Sequence, residues 1–95
     1  MSWRVILRPK AEADLREAAR WYESQRQLLG GQFLDEISRT IRLLQNSPER
    51  HAVYYRGFRR MPAHRFPYKL FYRIEGSDVI VVRVPHAKRE HRLPL

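Results

Sequence analysis

Basic side chains lie within, or directly after, the last two predicted strands, and these residues are the best placed to do chemistry. Three of them, Lys69, Arg83 and His86, could cleave RNA without a metal, because Lys or His can transfer protons and Arg can stabilise a phosphorane. The same cations could instead bind phosphates electrostatically, without any reaction. They could also be solvated side chains that lie along the rim of the sheet.

A wider set of residues could contact an anionic target. Cations in the middle of a strand add little to stability, which favours a functional role for Lys69 and Arg73, whereas binding and simple solvation remain equally open for Lys88 and Arg89. The aromatic ring of Phe71 could stack on a base. The residues predicted to bind the target or nucleic acid are Arg59, Arg60, Lys69, Phe71, Arg73, Arg83, Lys88 and Arg89.

The composition limits the class of protein. Nineteen Lys and Arg residues against ten Asp and Glu residues give a net charge of +9, which favours an anionic partner such as nucleic acid, an acidic protein or a membrane surface. Hydrophobic residues make up 43% of the 95 residues, so we expect one folded domain over residues 1–95. The sequence has no cysteine, which excludes disulfides and is typical of a reducing compartment.

The sequence carries no strong targeting or catalytic signature. We expect neither a signal peptide nor a membrane span, and therefore a cytoplasmic protein without a membrane partner. Glycine-rich phosphate loops, paired-histidine metalloprotease motifs and nucleophile elbows are absent from the sequence. The histidines lack the spacing and the carboxylate companions of a metal site, so no metal and no other cofactor is predicted.

Hydrophobic periodicity predicts a strand, two helices and then several strands. Pro9 suits the first position of a helix, Gly30-Gly31 indicates a turn, and Ser47-Pro48 indicates the end of the second helix. The predicted elements are a strand over residues 3–7, helices over about 9–27 and 32–46, a loop over about 49–54, and strands over 55–61, 66–75 and 79–84.

These elements predict an α+β fold in the order β-α-α-β-β-β, with a helical hairpin on one face of a mainly antiparallel four-stranded sheet. Alternation in the last two strands predicts a core face that consists of Leu70, Tyr72, Ile74, Ile80, Val82 and Val84. The other face would consist of Lys69, Phe71, Arg73, Val79, Val81 and Arg83. No predicted element is left to cover this second face, and its mixture of apolar area and charge suits a binding surface.

Several short motifs follow one another along the chain with a specific order and spacing. They are Pro9-Lys10-Ala11-Glu12-Ala13-Asp14-Leu15, Trp21-Tyr22-Glu23, Phe33-Leu34-Asp35-Glu36-Ile37, Leu43-Leu44-Gln45-Asn46-Ser47-Pro48, Phe66-Pro67-Tyr68-Lys69-Leu70-Phe71-Tyr72 and Val84-Pro85-His86-Ala87-Lys88-Arg89. Together they resemble the RelE/ParE family of bacterial type II toxins over nearly the whole chain. Each motif is weak by itself, and only their combination is specific.

The resemblance implies the same order of elements and neutralisation by a cognate antitoxin that is encoded beside the toxin. It also implies two targets, because the ParE branch inhibits DNA gyrase, whereas the RelE branch cleaves messenger RNA in the ribosomal A site. RelE-type nucleases use basic strand residues that match Lys69, Arg59 or Arg60, and a cation or His after the last strand that matches His86 or Arg89. They often have a Tyr in the tail, and this tail has none.

Three functions follow as hypotheses. The long helical hairpin and the Phe66-Pro67-Tyr68 entry to a strand favour a ParE-like toxin of a plasmid-stabilisation system, which inhibits DNA gyrase and is not an enzyme. The alternative is a RelE-like, metal-independent endoribonuclease that acts on messenger RNA at the ribosome. The third is a basic nucleic-acid-binding domain without toxicity. The uncovered sheet face would also allow a homodimer or a toxin–antitoxin hetero-oligomer.

Overall fold

The chain forms two helices and a five-stranded sheet in a computed structural model that describes residues 3–92. The first strand precedes the helices and the other four strands follow them. The α+β class is therefore confirmed. The elements are β1 Arg4–Leu7, α1 Pro9–Gln25, α2 Leu29–Asn46, a short 3-10 helix Pro48–Arg50, β2 Val53–Tyr55, β3 Phe58–Pro62, β4 Lys69–Glu75, β5 Asp78–Arg83 and a second 3-10 helix Ala87–Arg92.

The strands lie in the order β1-β5-β4-β3-β2, with β1 parallel to β5 and the other pairs antiparallel. The prediction of four strands was wrong, because residues 55–61 belong to a hairpin of two strands. Arg56 and Gly57 connect β2 to β3, and their φ angles of 49° and 81° match the type I′ turn that suits two-residue hairpins. Gly57 is the signal in the sequence for this turn.

The two helices form the predicted hairpin, but the break between them lies earlier than expected. α1 ends at Gln25 and α2 begins at Leu29, so the glycine pair lies in the first turn of α2 and not between the helices. Leu28 reverses the chain with a positive φ of 71°. The carboxylate of Glu23 accepts hydrogen bonds from the backbone N–H groups of Leu28 and Gly30, at 2.9 and 3.0 Å, and so satisfies donors that the start of a helix leaves unpaired.

One face of the sheet packs against the helical hairpin and forms the hydrophobic core. Tyr72 of β4 is fully buried in this core, and its hydroxyl donates a 2.6 Å hydrogen bond to the carbonyl oxygen of Pro48. Leu70 and Tyr72 therefore lie on the face that the sequence predicts. The buried core residues are Ala11, Ala18, Phe33, Ile37, Leu44, Met61, Phe66, Leu70, Tyr72, Val79, Val81 and Val84.

The predicted core face of β5 was wrong by one residue. Val79 and Val81 belong to the core cluster, where the sequence pattern predicts Ile80 and Val82. Val81 pairs with Tyr72 across the ladder, and such cross-strand partners share a face. The pattern could not decide between the two faces, because a run of consecutive apolar residues has no polar residue to mark its alternation.

A β-bulge near the end of β5 explains why Val84 nevertheless lies in the core, as predicted. The ladder passes from the pair Tyr72–Val81 to the pair Phe71–Arg83, so β5 has one residue more than β4 at this point. The extra residue changes the alternation of the strand. As a result, Val84 and not Arg83 joins the core cluster.

The opposite face of the sheet also contains buried apolar side chains. Phe71 is fully buried and Phe58 and Ile80 are only 8% and 7% exposed, although none of them belongs to the core cluster under the helices. Tyr54 of β2 contacts Phe71 edge-on, with 6.0 Å between the ring centroids. The prediction that Phe71 could stack on a base was therefore wrong, because its side chain is fully buried.

Gly30 lies against α1 at a distance that leaves no room for a side chain. A Cβ atom at Gly30 would lie 2.5 Å from the carbonyl oxygen of Ala19 and 3.1 Å from Oε1 of Glu23, whereas a Cβ atom at Gly31 would meet nothing within 4 Å. The close approach of the helices thus requires glycine at the first of the two positions and not at the second.

We expect Gly30→Ala to destabilise the protein by about 1–3 kcal/mol, because the backbone of α1 would have to move away from the new methyl group. The matched change Gly31→Ala should leave the stability unchanged or raise it by up to about 1 kcal/mol, since alanine is the better helix former. Chemical denaturation of the two variants and the wild type measures the difference. Equal stability of the two variants would contradict the close contact at Gly30.

Candidate functional site

Three cations surround the buried ring of Phe71 on the face of the sheet opposite the helices. We call this surface the basic face and define it by Tyr54, Arg60, Lys69, Phe71 and Arg73. Arg60 pairs with Phe71 across the β3–β4 ladder, and Lys69 and Arg73 lie two residues to either side of Phe71 on β4. Residues two apart on a strand share a face, as do cross-strand partners. The fold thus makes neighbours of three cations that were predicted to bind the target.

An aromatic ring positions the guanidinium of Arg60. The Cζ atom of Arg60 lies 3.7 Å from the centroid of the Tyr54 ring, which in turn contacts Phe71. Tyr54 is 47% exposed, so this stack lies at the surface of the protein. A cation–π contact at such a site stabilises by about 0.5–1 kcal/mol. It also limits the freedom of the arginine side chain and holds its charge in one place.

Two further arginines of this region bind other parts of the protein. Nε of Arg73 lies 3.0 Å from Oε1 of Glu75, and this ion pair compensates part of its charge. Arg59 donates hydrogen bonds to the carbonyl oxygens of Glu49 and His51, at 3.1 and 2.6 Å. Because Arg59 pairs with Tyr72 of the core face, it lies outside the basic face and fastens the segment before β2 to the sheet.

A groove of about 600 Å³ forms a second surface, between α1 and the segment that follows β5. Trp21 and Tyr22 line it from α1, and Tyr68 and His86 line it from the other side. Trp21 is 56% exposed there, which is unusual for a large aromatic side chain. The groove therefore combines aromatic surface with the volume of a typical ligand site.

An ion pair inside the groove ties α1 to the end of β5. Nε and Nη2 of Arg83 donate to the two carboxylate oxygens of Asp14, at 2.8 and 3.0 Å, and Oδ2 of Asp14 also accepts the backbone N–H of Val84 at 2.9 Å. The side chains of Arg83 and Asp14 are only 21% and 17% exposed. Such a bidentate pair in a partly desolvated site is strong and geometrically specific. The charge of Arg83 is thus compensated within the protein.

His86 is held in its neutral form at the start of the second 3-10 helix. Its Nδ1 accepts a 3.1 Å hydrogen bond from the backbone N–H of Lys88, and its ring meets Tyr68 with 5.3 Å between centroids. Burial and the charges of Lys88 and Arg89 lower the pKa of His86 below its ordinary value of 6.5. Burial and the neighbouring Tyr22 raise the pKa of Tyr68 to about 12, so this phenol is protonated at neutral pH.

The predicted site residues separate into two surfaces. The basic face contains Arg60, Lys69, Phe71 and Arg73. The groove contains Arg83, His86, Lys88 and Arg89, and Arg59 belongs to neither surface. The three residues predicted for RNA cleavage are consequently divided, because Lys69 lies on the basic face while its two partners line the groove.

Sequence reasoning missed Asp14 and Trp21 as residues of these surfaces. Asp14 lies near the start of α1, where an acid favours the helix, and its partner Arg83 is 69 positions away. Trp21 lies on α1 but is 56% exposed, outside the buried stripe of that helix. A large aromatic residue outside the buried stripe of an amphipathic helix was therefore an available signal.

Two further kinds of feature are absent from residues 3–92. None of the helices there is long and apolar enough to cross a membrane. Within the same residues, no group of three or more His, Asp or Glu side chains is placed to hold a metal ion.

Solved structures of two toxin–antitoxin systems share this fold. A chain of the chromosomal ParDE system from P. aeruginosa is 20% identical, with a TM-score of 0.73 over 88% of this chain and 95% of that chain. A chain of the RelBE2 complex from Mycobacterium tuberculosis is 23% identical, with a TM-score of 0.65 over 90% of this chain and 99% of that chain. Identities this low show the fold alone. None of the curated proteins matches the sequence.

The sequence itself identifies the family. Residues 5–91 match the family described as the ParE toxin of the type II toxin-antitoxin system, parDE. Because the match spans nearly the whole chain, the protein belongs to this family of toxins. The resemblance to RelE/ParE toxins, and to the ParE branch in particular, is confirmed.

Acidification should destabilise the protein through His86. The pKa of His86 is lowered in the folded state, so His86 binds a proton more readily in the unfolded chain. The free energy of unfolding therefore falls as the pH drops from 6.5 towards the folded pKa. Above 6.5 this loss is absent, because His86 is then neutral in both states.

We expect the free energy of unfolding to decrease between about pH 7.5 and about pH 5.5, and the variant His86→Asn to reduce that decrease. Asparagine keeps a hydrogen-bond acceptor close to the position of Nδ1 but does not titrate. Denaturation of the wild type and the variant at both pH values tests this. The same pH dependence in both proteins would show that His86 is not the responsible group.

Proposed function

We propose that this toxin acts by binding DNA gyrase rather than by cleaving RNA, and that a cognate antitoxin holds it inactive. The membership of the ParE family supports this target. The observation that carries the proposal is the bidentate ion pair between Arg83 and Asp14. Arg83 is the residue predicted to stabilise a phosphorane, and in this protein a carboxylate already binds its guanidinium.

The positions of the proton-transfer candidates also favour a binding function. A general acid and a general base must both reach the reacting atoms, within hydrogen-bond distance or through one water. Lys69 belongs to the basic face, whereas His86 lines the groove on the side of the helices. Tyr68 cannot replace them as a base at neutral pH, because its pKa is raised to about 12. We therefore assign target binding to the basic face and no reaction to the groove.

Controlled expression in a bacterial host tests the target. A gyrase inhibitor should induce the SOS response early, because the inhibited enzyme leaves damaged DNA, while protein synthesis continues. Both quantities are measured in the first minutes after induction, with and without the antitoxin encoded beside the toxin. Abrupt arrest of translation with cleaved transcripts, and no SOS response, would refute the gyrase proposal and support the ribonuclease alternative.

The ion pair provides a second test, because it can be broken from either side. Arg83→Ala leaves the carboxylate of Asp14 partly buried without its partner, and Asp14→Asn removes the charge from the opposite end. We expect each change to destabilise the protein by about 1–3 kcal/mol. Since the pair acts structurally in this proposal, both variants should lose toxicity to a similar extent, in proportion to their stability.

The comparison of these variants separates the structural role of Arg83 from a catalytic one. If Arg83→Ala abolished toxicity while Asp14→Asn, equally destabilised, remained toxic, the guanidinium itself would be required and the binding proposal would fail. Lys69→Ala serves as the matched change on the basic face, where we expect weaker toxicity with unchanged stability. Thermal denaturation and growth inhibition are measured on the same set of proteins.

A further inference from the structure

The groove between α1 and the segment after β5 follows one face of a helix. Its wall on α1 consists of side chains that are three, four and seven positions apart, namely Asp14, Glu17, Ala18 and Trp21. Residues at this spacing lie above one another on the same side of a helix. The wall therefore runs straight for two helical turns, which is about 10 Å.

Trp21 gives this wall an exposed aromatic ring that the protein itself holds in position. The ring meets Tyr22 edge-on, with 5.0 Å between the centroids, and Tyr22 stacks on the buried ring of Phe33. A positioned tryptophan loses little conformational freedom when a partner covers it, and tryptophan is among the residues that contribute most to binding between proteins. Trp21 thus offers an anchor for an apolar side chain of a partner.

The two walls of the groove differ in charge. Lys88 and Arg89 are exposed on the wall after β5, whereas Glu17 is exposed on the wall of α1. Both cations act inside the groove, because their charges, after burial as the larger cause, lower the pKa of His86. A partner that complements this groove therefore carries carboxylates on one side only, next to an apolar centre.

The backbone of the wall after β5 has few donors left for a partner. Hydrogen bonds within the protein already use the backbone N–H groups of Val84, Ala87, Lys88 and Arg89, and Pro85 has none. An extended peptide that adds to a sheet depends on such groups. A helix pairs its own backbone internally and binds a groove through its side chains alone, so a helix suits this wall better than a strand.

We propose that the groove binds an amphipathic helix of the antitoxin, with apolar side chains against Trp21 and carboxylates facing Lys88 and Arg89. The inference rests on the proposed function, since it assigns a surface to the partner that holds the toxin inactive. The groove lies on the side of the helices, whereas the basic face surrounds Phe71 on the opposite side of the sheet. The antitoxin and the target are thereby given separate surfaces.

A second copy of the chain and a nucleic acid fit the groove less well. Two copies each carry a net charge of +9, so their association brings like charges together. The phosphates of a nucleic acid would pass the exposed carboxylate of Glu17 on the wall of α1. An acidic helix avoids both kinds of repulsion when its carboxylates lie on the side of Lys88 and Arg89.

Surface plasmon resonance with the purified antitoxin encoded beside the toxin tests the inference. We expect Trp21→Ala to weaken the affinity by about 30-fold or more, chiefly through faster dissociation, because the change removes the anchor of the interface. The matched change Leu43→Ala removes an exposed apolar side chain of α2 outside the groove, and it should weaken binding by less than about threefold. Unchanged affinity of Trp21→Ala, or equal losses in both variants, would overturn the inference.

The charged wall is tested separately by Lys88→Glu with Arg89→Glu. This double change should slow association by about tenfold and reduce its dependence on salt, because charges at the rim of an interface steer the encounter. Arg16→Glu with Arg42→Glu changes the same total charge on exposed positions of α1 and α2, and it should slow association by less than about threefold. Equal effects would contradict the proposal, since association would then follow net charge alone. The charged pair also maintains the test if thermal denaturation shows that Trp21→Ala does not fold.

Growth inhibition distinguishes the groove from the target surface. Trp21→Ala should be as toxic as the wild type when expressed alone, and it should escape neutralisation when the antitoxin is expressed with it. Loss of toxicity at unchanged stability would refute the inference, because the groove would then contact the target. Escape from the antitoxin without SOS induction would refute the gyrase target alone, whereas SOS induction by a Trp21→Ala variant that is still neutralised would refute this inference alone.

Three further results would assign the groove to another occupant. They are a dimer of the free toxin that Trp21→Ala dissociates, a duplex DNA or RNA oligonucleotide that displaces the antitoxin, and extended rather than helical chemical shifts in the antitoxin residues that the toxin protects from hydrogen exchange. A monomeric toxin, no displacement and helical shifts are the expected results.

Discussion

The burial of the helical hairpin against one side of the sheet is the contact on which the rest of this structure depends. Phe33 and Leu44 of α2 and Tyr72 and Val81 of the sheet are almost completely removed from water there. At roughly 25 cal/mol per Å² of apolar surface, such burial is the largest favourable contribution available to a chain of this size. Because nineteen basic residues cannot enter this layer unpaired, they lie outside it, on the exposed sides of the helices, at the rims of the layer and on the opposite face of the sheet.

The surroundings of each arginine then decide what it does. Arg83 lies at the boundary of the buried layer, where a carboxylate of α1 compensates its charge through two short hydrogen bonds. Arg59 satisfies backbone carbonyl oxygens and so fixes the entry to β2. Arg60 instead lies on an exposed aromatic ring, that of Tyr54, which holds its charge at the surface. The same residue type thus makes an ion pair, a pair of backbone hydrogen bonds and a ring contact within one small sheet.

This division favours a toxin that works by binding. In a metal-independent nuclease, a cation and a proton-transfer group must converge on one phosphate. Here Arg83 is engaged by Asp14, while Lys69 lies beside Phe71 on the other face of the sheet from His86. Membership of the ParE family agrees with such a function.

The sequence by itself determined the α+β class, the family, the first strand and the two helices that follow it, because amphipathic stripes and Pro and Gly positions are local signals. It did not show that residues 53–62 form two strands instead of one. It could not determine the face of β5, where consecutive apolar residues conceal the alternation, or the bulge that brings Val84 into the core. It also could not reveal that Arg83 meets a residue 69 positions away, or that Arg60 rests on Tyr54. Those contacts exist only once β3, β4 and β5 are paired and α1 is packed against them, so the tertiary structure alone separated the structural cations from those of the basic face.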